Sequence, residues 1–451
     1  MKNIFIILML LIMLGTVFEA SPKEKRFVIG ANQYPSLTAP LRLEDLERMA
    51  LELNPAIAQA ESLVRAAAGR KTQAGLYPNP VFGYEAEEFS LASPGRRSQN
   101  YLFLEQRIKT GGKLNRQRDV WNAVQSQSET ELEIQKMRLL NTVRSHFYRT
   151  LGAQEIVNWR QELAKIARQA VDISEQLFNL GQADKPDLLA AEVEAQKVEL
   201  DLLDAENKLE RSWRALAAVV GNPELPRANL MGVLEPEPLQ LNPEEFIATL
   251  LQKSPEIKLV RNQIDQAKAS LYLAKAQRSP DILLKGGLGY SYEAREIQAV
   301  FQVGVALPLF DRNQGSIAAA AADLDAAQLE AKRVELILRS RFDSVYLDYM
   351  NAKQRVERYG REIIPRAQKA YDLYLDSFQE MTAAYPQVLI AQRTLFQSKT
   401  DYIEALVGLR LRLVAIQGLV LSGSKDFLGD ISTDEPEEKS LGLAAGKDRW
   451  R

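Results

Sequence analysis

From Phe301 onward the chain alternates: Phe301, Val303, Val305 and Leu307 fall on one face of an extended backbone, while Gln302, Gly304 and Ala306 fall on the other. This predicts a strand over 299–307, joined by a charged turn around 294–296 to a strand over 282–292. An earlier hairpin is predicted from 81–89 and 99–108 around Ser93-Pro94-Gly95. An apolar face of roughly nine residues has the span of a membrane strand. Tyr84, Phe89, Tyr101, Phe103, Tyr290, Tyr292 and Phe301 would suit the aromatic girdles of such a sheet. A half-buried sheet in water carries the same alternation, so the pattern alone leaves both readings open.

Outside the hairpins the period changes to that of helices. Leu163, Ile166, Ala170, Ile173, Leu177 and Leu180 keep three-four spacing, as do Leu406, Leu409, Leu413, Ile416 and Val420. Sustained spacing of this kind predicts coiled-coil seams. Gly and Pro are sparse across 114–180, 187–220 and 315–376. At a rise of 1.5 Å per residue the first of these would run about 100 Å and the last about 90 Å, too long for a compact domain. Ala190, Ala191, Ala195, the alanines at 318–322, Ala326 and Ala327 favour helix and permit close helix approach.

The landmarks recur. Asn54-Pro55 is echoed by Ser254-Pro255, Pro80 by Pro280, and Leu188-Leu189-Ala190-Ala191-Glu192 by Val388-Leu389-Ile390-Ala391-Gln392, all at an offset of about 200 residues. An internal duplication follows, with one repeat over 43–220, a linker over 221–242 and a second repeat over 243–420. Within each repeat the helical run reverses once. The first reversal, 179–187, has Gly181 suited to a helix end, Pro186 to a helix start and Asp184 to an N-cap. The second, 377–386, lacks Gly and places Thr382 and Pro386 near its restart.

Two hairpins supply only four strands, which cannot close into a barrel. In lipid every strand edge must be paired, so a membrane reading requires several chains, and three would supply twelve strands. Lys2, the apolar run 4–17 and Ala20 before Ser21-Pro22 predict a signal peptide over 1–20, followed by an extended segment to 42. Phe18 stands where a small residue is preferred, which leaves an uncleaved anchor as the alternative. Residues 421–451 read as a polar tail.

Charge and composition narrow the function. The 57 Lys and Arg against 59 Asp and Glu give no basic field to attract nucleic acid. With no cysteine there is no disulfide, no thiolate metal site and no lipid on an N-terminal Cys. His146 is the single histidine, within Arg144-Ser145-His146-Phe147-Tyr148, so neither a Ser-His-Asp set nor a histidine metal cluster can be assembled within one chain. Gly111-Gly112 reads as a hinge between strand and helix, with 311–315 as its counterpart, because a phosphate loop's spacing and terminal Lys-Ser/Thr are absent. No enzyme, resident metal or cofactor is expected.

Ala74-Gly75-Leu76-Tyr77-Pro78-Asn79-Pro80 before the first strand, the 181–191 tip with Asp187-Leu188-Leu189, and Ala391-Gln392-Arg393-Thr394-Leu395-Phe396 after the second tip occur in order along the chain. Over about 40–420 it resembles the trimeric outer-membrane efflux channels (TolC-like outer-membrane factors), especially those of heavy-metal resistance systems. The resemblance implies a mixed α/β membrane protein. A trimeric twelve-stranded β-barrel, four strands per chain, would continue into a long antiparallel coiled-coil tunnel through the periplasm of a Gram-negative bacterium. It further implies a homotrimer passively conducting substrate received from an inner-membrane pump, commonly proton-driven, and a periplasmic membrane-fusion adaptor. Heavy-metal cations are the preferred cargo; multidrug efflux or type I protein secretion, and a non-channel coiled-coil scaffold, are the alternatives. The adaptor-docking and gate candidates are Gly181, Asp184, Lys185, Asp187, Gln379, Glu380 and Thr382. Phe301, Val303, Val305 and Leu307 are the candidates for facing outer-membrane lipid. Many members carry an acylated N-terminal Cys that this chain lacks, and the two tips differ, so unequal adaptor contacts are expected.

Overall fold

The computed structural model describes residues 40–87, 99–181, 184–236, 242–292, 294–380 and 385–421. The signal segment, the Ser93-Pro94-Gly95 turn, Phe89, Thr382 and nearly all of the C-terminal tail lie outside them. The first half comprises β1 (Leu41–Arg42), α1 (Leu43–Leu53), α2 (Pro55–Ala74), β2 (Val81–Glu87), β3 (Gln99–Ile108), α3 (Lys113–Asn179) and α4 (Lys185–Val220). The second comprises β4 (Leu230–Met231), α5 (Pro243–Lys253), α6 (Pro255–Ala276), β5 (Ile282–Ser291), β6 (Glu296–Val305), α7 (Gln314–Arg358), a π-helical turn (Tyr359–Ile363), α8 (Ile364–Gln379) and α9 (Tyr385–Leu421). Apart from the π turn, the order of the two halves is the same, and β1 pairs in parallel with β4 where each half begins.

Equivalent sequence landmarks do equivalent work. Asn54 caps α2 by accepting a hydrogen bond from the Ala56 N–H at 3.0 Å, and Ser254 caps α6 by accepting from Glu256 at 3.2 Å. Pro55 and Pro255 each open the helix that follows, where an N–H has no helical partner anyway. At the strand-to-helix junctions Gly112 and Asn313 precede α3 and α7 with φ of +69° and +58°. Asn313 tolerates that conformation because its amide donates to the Ala274 carbonyl at 2.7 Å and to Gln277 at 3.1 Å.

α3 is 67 residues long, about 100 Å. Its counterpart, α7 to α8, is equally extended but interrupted by the π turn. Pro365 accounts for the interruption: it has no N–H to give the Arg361 carbonyl, and the ladder widens for one turn. The main core lies midway along the helices, where α1, α3, α4, α7 and α9 bury Leu46, Phe147, Leu151, Trp213, Leu216, Leu338, Phe342 and Ile416. Gly152 permits α3 and α9 to touch, since a Cβ there would sit 2.2 Å from Val407.

One expected seam is buried at each position whose side chain is described, Val420 lying outside those, and the other, buried at Leu163 with Ile166 packed beside it, is built only in part. Leu406, Leu409, Leu413 and Ile416 are all buried. On α3, however, the buried face runs through Leu163, Ala164, Ala167 and Ser174, whereas Ile173 and Leu180 are 51% and 71% exposed. The smaller residues win because they let Ala195 and Val198 of α4, and Leu395 and Phe396 of α9, close on the same stretch of helix.

Candidate channel wall and helix tips

β2, β3, β5 and β6 form one antiparallel sheet in that order, leaving β2 and β6 as edges. Its registers sort every strand residue onto one of two faces. Phe301 lies opposite Gly286, Val303 opposite Leu284, Val305 opposite Ile282, and Leu288 and Leu102 align with Tyr84. Phe82, Tyr84, Leu102, Leu104, Leu288, Ile297, Phe301 and Val303 are all exposed on that face, where, among the described residues, Asn100 and Gln106 and the hydroxyls of Tyr84 and Tyr290 are the polar groups. The opposite face carries Glu85, Glu87, Glu105, Arg107, Lys285, Glu296, Gln298 and Gln302. A sheet built this way is an amphipathic wall.

Phe301, Val303 and Val305 share the apolar face, but Leu307 is not in the strand. β6 stops at Val305, and Leu307 lies beyond it, 73% exposed. Pro308 restricts the backbone of Leu307, and Pro280 has no N–H to extend the ladder on the partner strand. Glu296 likewise belongs to β6 rather than to the turn, paired with Ser291.

The polar face contains a group of residues that periodicity does not reveal. Gly83, Phe103 and Gly287 are direct neighbours across three strands, and a Cβ at Gly83 would stand 2.5 Å from the Phe103 ring. Tyr101 uses Gly289 in the same way, with 2.4 Å to an added Cβ. Both rings therefore lie against the sheet. The Lys285 ammonium rests 4.4 Å from the centre of the Phe103 ring and pairs with Glu85. The signal in the sequence was Gly286-Gly287-Leu288-Gly289, an unusual density of glycine inside a strand.

At the helical end of the wall, Asp281 accepts hydrogen bonds from Lys113 at 2.6 Å and from the Thr110 N–H at 3.3 Å, tying the start of β5 to the start of α3. Desolvation raises its pKa, but the Lys113 and Thr110 hydrogen bonds and the charges of Lys113 and Lys109 outweigh it, leaving the carboxyl below its ordinary value.

At the opposite end the helix reversals form the tips. α3 ends through Leu180 and Gly181, the latter at φ +71° and donating its N–H to the Phe178 carbonyl at 2.9 Å. Asp184 occupies the N-cap position of α4, yet its side chain makes no capping bond; its carbonyl takes the Asp187 N–H instead, at 3.1 Å. Lys185 lies over the Phe178 ring at 5.3 Å, and Gly181, Asp184 and Lys185 are exposed while Asp187 is half-buried. On the second tip Gln379 closes α8 and Glu380 donates its N–H to the Asp376 carbonyl at 2.9 Å. The tips are packed together. Ala191, Val388 and Leu389 bury against Val171, Tyr371, Leu375 and Phe378, and Arg393 of α9 bridges to Glu194 of α4 at 2.8 Å.

The model of the family described as outer membrane efflux protein matches residues 46–222 and 246–420, which are the two repeats of helix, hairpin and long helix pair. The chain belongs to that family. This outer membrane efflux protein is 27% identical over 372 residues to the cobalt-zinc-cadmium resistance protein CzcC of Cupriavidus metallidurans, covering 81% of this chain and 87% of that one. Its fold matches CusC with a TM-score of 0.71 at 16% identity, over 87% of this chain and 95% of the other. It also matches the outer membrane protein VceC of Vibrio cholerae with a TM-score of 0.68 at 19% identity, over 85% and 97%.

Family membership makes the chain the outer-membrane channel component of an efflux system, non-catalytic, with its long helices in the periplasm. Among the described residues no helix is long and apolar enough to cross a membrane. Among the same residues no three His, Cys, Asp or Glu are grouped to hold a metal ion. His146 sits half-buried on α3 beside the main core.

Proposed function

We propose that three copies of this efflux protein join edge to edge, β6 of one against β2 of the next, to close a twelve-stranded barrel that conducts heavy-metal cations out of the cell. The carrying observation is the two-faced sheet with two unpaired edges. An apolar face suits lipid and a charged face suits a water-filled lumen, and neither edge is tolerable in a membrane unless another strand pairs with it. Residues 1–20 act as the signal peptide, and the repeats over 43–220 and 243–420 each contribute one hairpin and one helical tip.

The channel itself is passive. A periplasmic membrane-fusion adaptor docks at Gly181, Asp184, Lys185, Asp187, Gln379, Glu380 and Thr382, and an inner-membrane pump, proton-driven, supplies the energy. Exposure of Asp184 without a capping bond supports this assignment, because its carboxylate is left available to a partner. The metal cargo rests on the likeness to a cobalt-zinc-cadmium resistance protein across most of both chains. Deleting the gene should raise cellular cobalt, zinc or cadmium, measured by elemental mass spectrometry after a metal challenge. Unchanged metal content together with accumulation of an organic drug would move the cargo to multidrug efflux and leave the conduit reading in place.

A further inference from the structure

The charged face of the sheet contains one arrangement that neither packing nor pairing economy accounts for. Lys285 has a carboxylate directly opposite it on the neighbouring strand, Glu105. It pairs instead with Glu85, one strand further away and on the far side of Phe103 from it. To do so its stem crosses the Phe103 ring, with the ammonium 4.4 Å from the ring centre. The crossing is possible because the ring lies flat between Gly83 and Gly287, where any side chain would hold it off the wall.

The pair leaves Lys285 only 16% exposed and Glu85 38% exposed. With Glu85 more than a third exposed, solvent screens the pair and its contribution to stability is small, so its clearest consequence is where it puts the charge. The ammonium is held down against the wall, and Glu105 is left without a cation partner among the described residues.

Resting on the channel reading above, we propose that the Lys285–Phe103–Glu85 stack sets the charge selectivity of the barrel. By drawing Lys285 aside it leaves the Glu105 carboxylates, three in the closed assembly, to govern their level of the lumen, which then favours cations over anions. Without Glu85, Lys285 would turn to Glu105 beside it and neutralise that level. Without Lys285, Glu85 would add its own charge to the lumen. Opposite substitutions of one ion pair should thus move selectivity in opposite directions.

The test uses the full chain reconstituted into planar bilayers, with the reversal potential read in a potassium chloride gradient. Glu85→Gln should lower the potassium-to-chloride permeability ratio by about threefold, Glu105→Gln should lower it similarly, and Lys285→Gln should raise it. Phe103→Leu, which removes the platform but keeps both carboxylates and the ammonium, should shift the ratio less than Glu85→Gln, and Glu105→Gln gives the second route if Glu85→Gln inserts poorly. A ratio unchanged in the variants, or shifted the same way by Glu85→Gln and Lys285→Gln, would overturn the proposal while leaving a conducting channel. Absence of any conductance from the unmodified protein would overturn the channel reading itself and the proposal with it.

Discussion

Val303 and Gln302 are adjacent in sequence and stand on opposite faces of β6, Val303 opposite Leu284 and Gln302 opposite Lys285. In the proposed barrel an arginine at 303 would meet hydrocarbon, and an arginine at 302 would meet the lumen. Val303→Arg is therefore expected to weaken folding into lipid vesicles by about 2–4 kcal/mol if the site lies near mid-membrane, and Gln302→Arg by clearly less. Chemical denaturation of vesicle-inserted protein measures both; equal losses would contradict the assignment of faces. Asp281 offers a pH test outside the strands. Its carboxyl is held below its ordinary pKa of 3.8, so the stability it contributes is fully present above that value and is lost as pH falls through the lower, folded value. Asp281→Asn should accordingly lower stability at neutral pH, change it little in acid, and so flatten the acid limb of a stability-versus-pH curve below about pH 4. An unaltered acid limb would show that the Lys113 contact does not depend on the charge. Alternation in 301–305 was readable because a strand has period two, whereas the Phe103 platform was not, since it depends on which strand lies beside which.

At the scale of elements, the long helices and the two tips were legible from sparse Gly and Pro, and the duplicated Asn54-Pro55 and Ser254-Pro255 marked real helix starts. The seam on α3 was read correctly at Leu163 and Ile166 but not at Ile173 and Leu180, because three-four spacing selects the largest apolar residues, while a helix gripped by two neighbours buries Ala164 and Ala167. The strand end at Val305 was missed by weighting alternation over Pro308. At the first tip Gly181 has φ +71° and open space where a Cβ would be, so a branched residue there is strained by backbone conformation rather than by crowding. A Gly181→Val, Asp184→Ala double variant is expected to reach the outer membrane normally but to lose crosslinking to the periplasmic adaptor and metal export. Crosslinking and export at the level of the unmodified protein would remove the first tip from the docking surface.

For the molecule as a whole, the sequence carried the class of fold because its signals are local: hairpin periodicity, helix length, caps and turn residues. The proposed closure would be a property of several chains, and one chain carries it only indirectly, in the two unpaired edges of its sheet. The exposed apolar stripe on α4, through Leu189, Val193, Leu200 and Leu203, is likewise the kind of surface one chain leaves uncovered. The most direct test of the barrel is the mass of the protein extracted from membranes in mild detergent, by native mass spectrometry. Three chains per particle, dissociating only on strong denaturation, is the expected result; a stable, folded monomer as the sole species would contradict the account.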